Sequence, residues 1–207
     1  MDKLFRNVPP ICLTDKIKGE AIFLRKGKAW LTEYSTNKNS KAFAWGSFKK
    51  SKRSDQIIAA LALISDEHCF YCDAKWVRKG NIEPEIDHFC PKTVKPLKAF
   101  YYPNLFLCCG SCNRYKSNRF HRRSLIKLDE VSYNFDDYFF IDFATGKVRV
   151  RPDISLQDRY KARFTLTIYG INLDSRPESR LMELKAYEDS VNKNLLDYSF
   201  RYYISRN

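Results

Sequence analysis

The sequence predicts an α+β chain: a small strand–strand–helix unit stapled by paired cysteines, embedded among helices and accompanied by one further β-hairpin. Two Cys-x-x-Cys pairs, Cys69/Cys72 and Cys109/Cys112, have 36 residues between them and enclose two short apolar runs. Helical periodicity dominates much of the remaining chain, and Ala144-Thr145-Gly146 separates two alternating segments. Two residues between cysteines let both sulfurs reach one tetrahedral ion, so the paired spacing implies a structural zinc held by all four thiolates.

The elements follow in order. Pro9-Pro10 closes an extended arm, because consecutive prolines exclude helix and sheet. Thr14 is placed to cap a helix over residues 14–32, with Ile17, Ala21, Leu24, Ala29 and Leu31 as a loose apolar face. Residues 35–53 are polar and basic, end in Lys49-Lys50-Ser51-Lys52-Arg53, and predict a loop that carries Phe43, Trp45 and Phe48. Ser54 then caps a helix whose stripe of Ile57, Ile58, Leu61, Leu63 and Ile64 delivers the chain to Cys69.

Inside the cysteine segment, residues 86–89 and 105–107 predict short strands and residues 112–119 a helix. Residues 138–143 and 147–150 predict the further hairpin. Over residues 157–169, Tyr160, Ala162, Phe164, Leu166 and Ile168 alternate like a strand, yet Tyr160, Phe164 and Ile168 also fit a helix that Gly170 stops. The helix is the expectation. Asp174 is placed to cap a final long helix with Leu181, Leu184, Tyr187, Val191, Leu195 and Tyr198 on one face.

An apolar fraction of 44% in 207 residues is enough for a real core, with one domain and an elaborated periphery or two small ones. Three stretches are expected: a basic arm and helix over 1–55, a zinc-bearing core over 56–130, and a hairpin with a helical extension over 131–207. The formal charge of +13 is unevenly spread, with nets of +8, +4 and +1 over these stretches. A one-sided basic field suits a polyphosphate partner such as nucleic acid, DNA or RNA. Seven cysteines in this spacing do not form a secreted disulfide framework, and Met1-Asp2-Lys3-Leu4-Phe5-Arg6 carries no apolar signal core. No segment approaches the ~20 apolar residues of a membrane span. The expected location is the cytoplasm, with reduced thiols and no membrane partner.

The chemistry is expected inside the staple. A unit of about fifty residues buries too little to hold a catalytic geometry by packing alone, and a structural zinc supplies that rigidity. His88 is the natural general base, because an imidazole near its ordinary pKa takes a proton from water at neutral pH. Adjacent strand residues face opposite ways, so Asp87 and His88 share a site only if the strand ends or bends there, and Pro91 favours an early end. Asp87 and Asn113 then offer hard oxygen ligands to Mg²⁺ or Mn²⁺, leaving room for water and a phosphate oxygen.

These residues resemble the HNH nuclease family, whose ββα-metal core reads Cys-x-x-Cys, Asp-His-x-x-Pro, Asn-Leu and Cys-x-x-Cys-Asn-x-x-Lys. The matches are Cys69/Cys72, Asp87-His88 with Pro91, Asn104-Leu105, and Cys109 through Lys116. The resemblance covers about fifty residues. It implies that His88 activates water, that Asp87 and Asn113 hold the catalytic metal, and that Asn104 fixes the loop orienting His88. Many members carry histidine where this chain has Asn113, which bears on metal preference. Glu85 recurs in the family without a role assigned here. The layout around the core is similar to the HNH subunit of Septu-type and retron-associated antiphage systems, which work beside an ABC-type ATPase.

Other residues have plainer readings. His68 is a helix-end histidine rather than a zinc ligand, and Cys108, one residue out of register, is a small buried residue. Arg114 and Lys116 either clamp substrate phosphates or lie as surface charge. His121, in Arg119-Phe120-His121-Arg122-Arg123, contacts phosphate or solvent rather than acting in catalysis. Two functions remain open at this point: a metal-dependent endonuclease, and a non-catalytic zinc module that binds nucleic acid or a partner protein.

Overall fold

The computed structural model describes residues 9–14, 16–17, 20–36, 53–75, 84–121, 124–173 and 175–207. The basic linker with Phe43, Trp45 and Phe48, the Arg122-Arg123 pair and the Asp174 cap lie outside the described residues. Helix α1 (Ile11–Thr14) leads into a minimal hairpin of β1 (Lys16–Ile17) and β2 (Glu20–Ala21), followed by helix α2 (Ile22–Thr36). The helix expected over residues 14–32 therefore starts later and ends later. Pairing of Lys16 with Ala21 and Ile17 with Glu20 takes the residues that periodicity alone assigned to its first turns. Ile22, Gly27 and Trp30 form the buried face of α2. Gly27 is required there, since a Cβ would stand 2.7 Å from the Leu97 carbonyl oxygen of the loop beneath.

Helix α3 (Arg53–Ile64) buries Ile57, Leu61 and Ile64 at the i, i+4, i+7 spacing of one face. Two expectations change here: Ser54 lies within the helix rather than before it, and Leu63, about a third of a turn off the stripe, is 75% exposed. The chain then turns sharply. Asp66 and Glu67 adopt left-handed backbone angles, with φ of 49° and 61°, and lead the chain into His68 and Cys69.

Strands β3 (Pro84–His88) and β4 (Leu105–Cys109) pair antiparallel, with Asp87 opposite Phe106 and His88 opposite Leu105. Helix α4 (Gly110–Lys116) follows β4 directly and packs on both strands. It begins two residues before the helix expected over 112–119 and ends three residues sooner. The strand–strand–helix order read from the sequence is thus present, with longer strands and a shorter helix.

Strands β5 (Phe139–Asp142) and β6 (Lys147–Val150) form the second hairpin, and Gly146 supplies the positive φ of 67° at its turn. Helix α5 (Leu156–Ile168) settles the ambiguous stretch as helical. Its start is set by Ser155, whose hydroxyl oxygen accepts from the Asp158 amide at 3.1 Å, and its stop by Gly170 at a φ of 61°. Helix α6 (Arg176–Asp189) is shorter than the final helix expected from the sequence. Val191, Leu195 and Tyr198 lie beyond it, in a turn and a 3₁₀ segment that bring the chain back to the short helix α7 (Arg201–Ile204). One hydrophobic cluster joins all three stretches, from Cys12 and Leu13 through β4 to Tyr202 and Ile204. Among the described residues no helix is long and apolar enough to cross a membrane.

Candidate functional site

The four paired cysteines converge. Their sulfur atoms lie within 4.8 Å of one another, all four residues are buried, and none forms a disulfide. The 4.0 Å between the sulfurs of Cys72 and Cys109 is close to the ~3.8 Å expected between thiolates of a tetrahedral zinc with 2.3 Å bonds. Local backbone explains the convergence. Cys69 and Cys72 ride a tight knuckle closed by the Cys69 amide on the Ala74 carbonyl and the Asp73 amide on the Cys69 carbonyl, both at 2.8 Å. Cys109 is the residue before α4, and its sulfur accepts from the Cys112 amide at 3.4 Å. Hydrogen bonds from Cys112 and Cys69 draw the Cys109 thiol toward thiolate, whereas burial pushes the Cys69 thiol up. Four buried sulfurs of this kind form a metal centre suited to a structural zinc.

Residues remote in sequence support the cluster. Arg176, at the start of α6, donates to the Cys112 sulfur at 3.2 Å and to the Tyr169 carbonyl at 3.1 Å. Its guanidinium offsets thiolate charge from outside the ligand set. Arg201 clamps the knuckle from the other side: Nη2 meets Asp73 Oδ1 at 2.6 Å, and Nη1 meets Asp66 Oδ2 at 2.9 Å. His68 is fully buried, with Nε2 at 2.9 Å from the Tyr198 carbonyl oxygen and Nδ1 at 2.5 Å from that of Asp66. It is a joint between the knuckle and the returning chain, not a zinc ligand. Nothing in the spacing of the sequence pointed to Arg176 or Arg201.

Strand alternation distributes the other candidates. Glu85 and Asp87 meet α4, where residues 113 and 116 lie one turn apart on its inner side. Asn113 donates to Glu85 Oε2 at 2.6 Å. Lys116 is fully buried, and its ammonium lies 2.8 Å from Asp87 Oδ2 and 2.7 Å from the His88 carbonyl oxygen. Tyr71, between the first two cysteines, donates its hydroxyl to the same Asp87 oxygen. Burial pushes the Asp87 carboxyl up, and the Lys116 ammonium draws it down. Lys116 is therefore neither surface charge nor a phosphate clamp as the structure stands, but the internal partner of Asp87. Arg114 is exposed on the same helix.

His88 points to the other face. Its Nε2 donates to the Ala99 carbonyl at 2.8 Å, an assignment that follows because a carbonyl can only accept. Burial, then the nearby Lys92 ammonium, pushes its pKa down to about 3, so the ring is neutral at physiological pH. Asn104 is buried and acts as a clamp: Oδ1 accepts from the Cys90 amide at 2.8 Å, and Nδ2 donates to the carbonyls of Cys90 at 3.0 Å and Lys98 at 3.2 Å. These bonds hold the chain two residues past His88 and the residue before Ala99, which together fix the imidazole. Cys108 is fully buried on β4, and His121 is exposed with Nδ1 at 2.7 Å from the Ser124 hydroxyl.

Among the described residues the four cysteines are the only group of three or more histidine, cysteine or acidic side chains close enough to hold one ion. Asp87 and Asn113 supply oxygen atoms of the type a hard divalent ion takes, and thus a two-ligand site at most. Each is paired elsewhere, Asp87 with Lys116 and Tyr71, and Asn113 with Glu85. The donor chemistry fits such an ion on condition that Asp87 shares or exchanges its Lys116 contact. Compared with known proteins, the chain matches no family model and no curated sequence.

The buried imidazole has a consequence for acid stability. The folded protein keeps His88 neutral down to about pH 3, while the unfolded chain's imidazole protonates near pH 6.5. Below pH 6.5 protons therefore favour the unfolded chain. The contribution is fully present above that pH and falls by about 2 kcal/mol between pH 6.5 and 5. Urea unfolding at pH 7 and pH 5 should show a smaller loss in His88→Gln than in the native protein by about this amount. Equal losses in both would mean that His88 does not carry the dependence; zinc-thiolate protonation contributes alike to both.

Proposed function

We propose that this chain is a metal-dependent endonuclease that hydrolyses phosphodiester bonds in nucleic acid, built on an HNH-type ββα-metal core. The observation that carries the reading is one of arrangement. An antiparallel strand pair runs directly into a helix, four cysteines staple the unit, Asp87-His88 ends the first strand, and Asn113 lies in the first turns of the helix. A zinc module with no chemistry has no need of those three residue types in those places.

In this reading His88, held by Ala99 and by the loop that Asn104 clamps, takes a proton from the attacking water once an opening of the site hydrates the ring and relieves the burial that lowers its pKa. Asp87 and Asn113 would hold Mg²⁺ or Mn²⁺, which would supply charge stabilisation for the leaving oxygen, and the strand end would have to open for that ion and His88, now on opposite faces, to serve one phosphate. Lys116 opposes the rise that burial gives the Asp87 carboxyl and ties it to the backbone of His88. Arg114, exposed on the same helix, is available to a substrate phosphate. Asp87 and His88 are each only 6% exposed, so activity lies behind an opening of the covering chain. Such gating agrees with a place in an antiphage defence system, where an ABC-type ATPase partner supplies the trigger; that part rests on the resemblance of the layout alone.

The closed, paired state of Asp87 and Asn113 is also what a non-catalytic zinc module that binds nucleic acid or a partner would show. One experiment separates the two readings. Supercoiled DNA and structured RNA are incubated with Mg²⁺ or Mn²⁺ and native protein or His88→Ala, with and without the ATPase. Nicking by the native protein that falls at least a hundredfold in His88→Ala supports the enzyme. Equal behaviour of the two proteins on every substrate overturns it.

A further inference from the structure

Helix α5 presents an outward face that the candidate site does not use. Leu156, Tyr160, Arg163 and Thr167 follow one another at helical spacing, and all four are exposed, Leu156 by 78% and Tyr160 by 59%. The Tyr160 ring lies nearly parallel to that of its helix neighbour Phe164, at 21° and 6.2 Å between centroids, and more than half of Tyr160 is open to solvent. Phe164 in turn meets the exposed His121 ring at 6.2 Å, edge to face. His121 belongs to the segment that leaves α4, the helix of Asn113 and Arg114. On the same segment Arg119 lies over the Tyr115 ring at 4.2 Å from its centroid. The one acidic side chain in the first turn of α5, Asp158, is occupied by Ser155 and Lys161.

We propose that this face is a track for single-stranded nucleic acid: Tyr160 stacks an unpaired base, and Arg163 and Arg119 hold the flanking phosphates. Three properties favour that occupant. An exposed aromatic ring on a surface that also carries exposed arginines is the combination that binds bases by stacking and backbone by charge, whatever the sequence. Paired bases in a duplex do not expose the ring faces such stacking needs. The charge is also complementary, since the exposed side chains along this strip are basic or neutral. The proposal rests on the nuclease reading only for its biological purpose, which is to lead a strand toward α4; the binding itself stands without catalysis.

Fluorescence anisotropy tests it, with labelled 20-nucleotide oligo-dT and oligo-rU, a duplex of equal length, and no divalent metal or chelator. The native protein is expected to bind the single strands more tightly than the duplex. Tyr160→Ala should weaken single-strand binding about tenfold or more, and Arg163→Glu should weaken it and lower the salt dependence by about one unit of log–log slope. Circular dichroism and zinc content report on folding, which substitution at exposed positions leaves intact. Native-like binding by both α5 variants overturns the track and leaves the nuclease reading untouched, as does tighter binding of the duplex. Self-association of the native protein that Leu156→Ser abolishes, without single-strand binding, overturns it in favour of a second copy of this chain. Tyr160-dependent binding, together with no cleavage in the separate assay with Mg²⁺ or Mn²⁺, removes the enzyme and keeps the track.

Discussion

Cys69→Ser is expected to leave the protein without zinc and without a cooperative unfolding transition. A structural zinc contributes about 10–16 kcal/mol in small domains, as much as or more than the whole stability of a typical protein, about 5–15 kcal/mol. Here the effect reaches beyond the knuckle. The Cys69 sulfur also accepts the Cys109 amide at 3.3 Å, which orients the start of α4. The knuckle itself holds strand β4 through the Phe70 amide on the Leu107 carbonyl at 3.0 Å. Asn113→Ala, in the same helix but outside the sulfur cluster, should keep the metal content of the native protein and, on the proposed nuclease reading, abolish cleavage. Metal analysis and thermal melts by circular dichroism decide the matter. A Cys69→Ser protein that retains native zinc content and melts within a few degrees of the native protein would show that the cluster is not the staple described here; equal zinc loss in both variants would join what we separate, the structural and the catalytic metal.

Arg180→Met is expected to lower stability by about 3 kcal/mol or more. The Arg180 guanidinium is fully buried and is satisfied by neutral oxygens among the described residues: the Tyr202 hydroxyl at 2.9 Å, the Gly146 carbonyl at 2.7 Å, Asn172 Oδ1 at 3.3 Å, and the Ile171 carbonyl. It ties together the turn between β5 and β6, the loop after α5, and α7. Methionine fills much of the volume and leaves at least two buried carbonyls without a donor, each costing about 1–3 kcal/mol. In a protein of this size the melting temperature should fall by about 6–12 °C. Zinc content should not change, because Arg180 touches none of the sulfurs. A melting shift within 2 °C would mean that these oxygens find other donors and that the guanidinium is not the tie between the three elements.

The cysteine spacing made the core legible because its elements are local: thiolates two residues apart, an alternating strand, a helix started by a cysteine. The helix over α5 was legible for a related reason, since Tyr160, Phe164 and Ile168 with Gly170 state both its period and its end. Three features were not. The internal pairing of Lys116 with Asp87 was hidden because a lysine in a short helix reads as solvent-facing until the strand beneath it is known. The separation of His88 from Asp87 was visible as a condition, that adjacent strand residues diverge, but the sequence could not say which face each would take. Arg176, Arg201 and Arg180 act across dozens to more than a hundred residues, and no periodicity records such contacts. The early part of α2 misled for the opposite reason: its apolar period was real, and the short hairpin before it took over the first turns.

The clamp of Arg201 on Asp73 spans 128 positions, and the bond of His68 to Tyr198 spans 130. Time is therefore built into the centre. At a translation rate of about 5–20 residues per second, the four sulfurs, complete at Cys112, wait roughly 4 to 18 s for Arg201, 89 positions on. The sulfurs are therefore in place to collect a metal ion while the brace is still being made. A chain interrupted in that interval would carry a filled cysteine cluster beneath an unbraced knuckle.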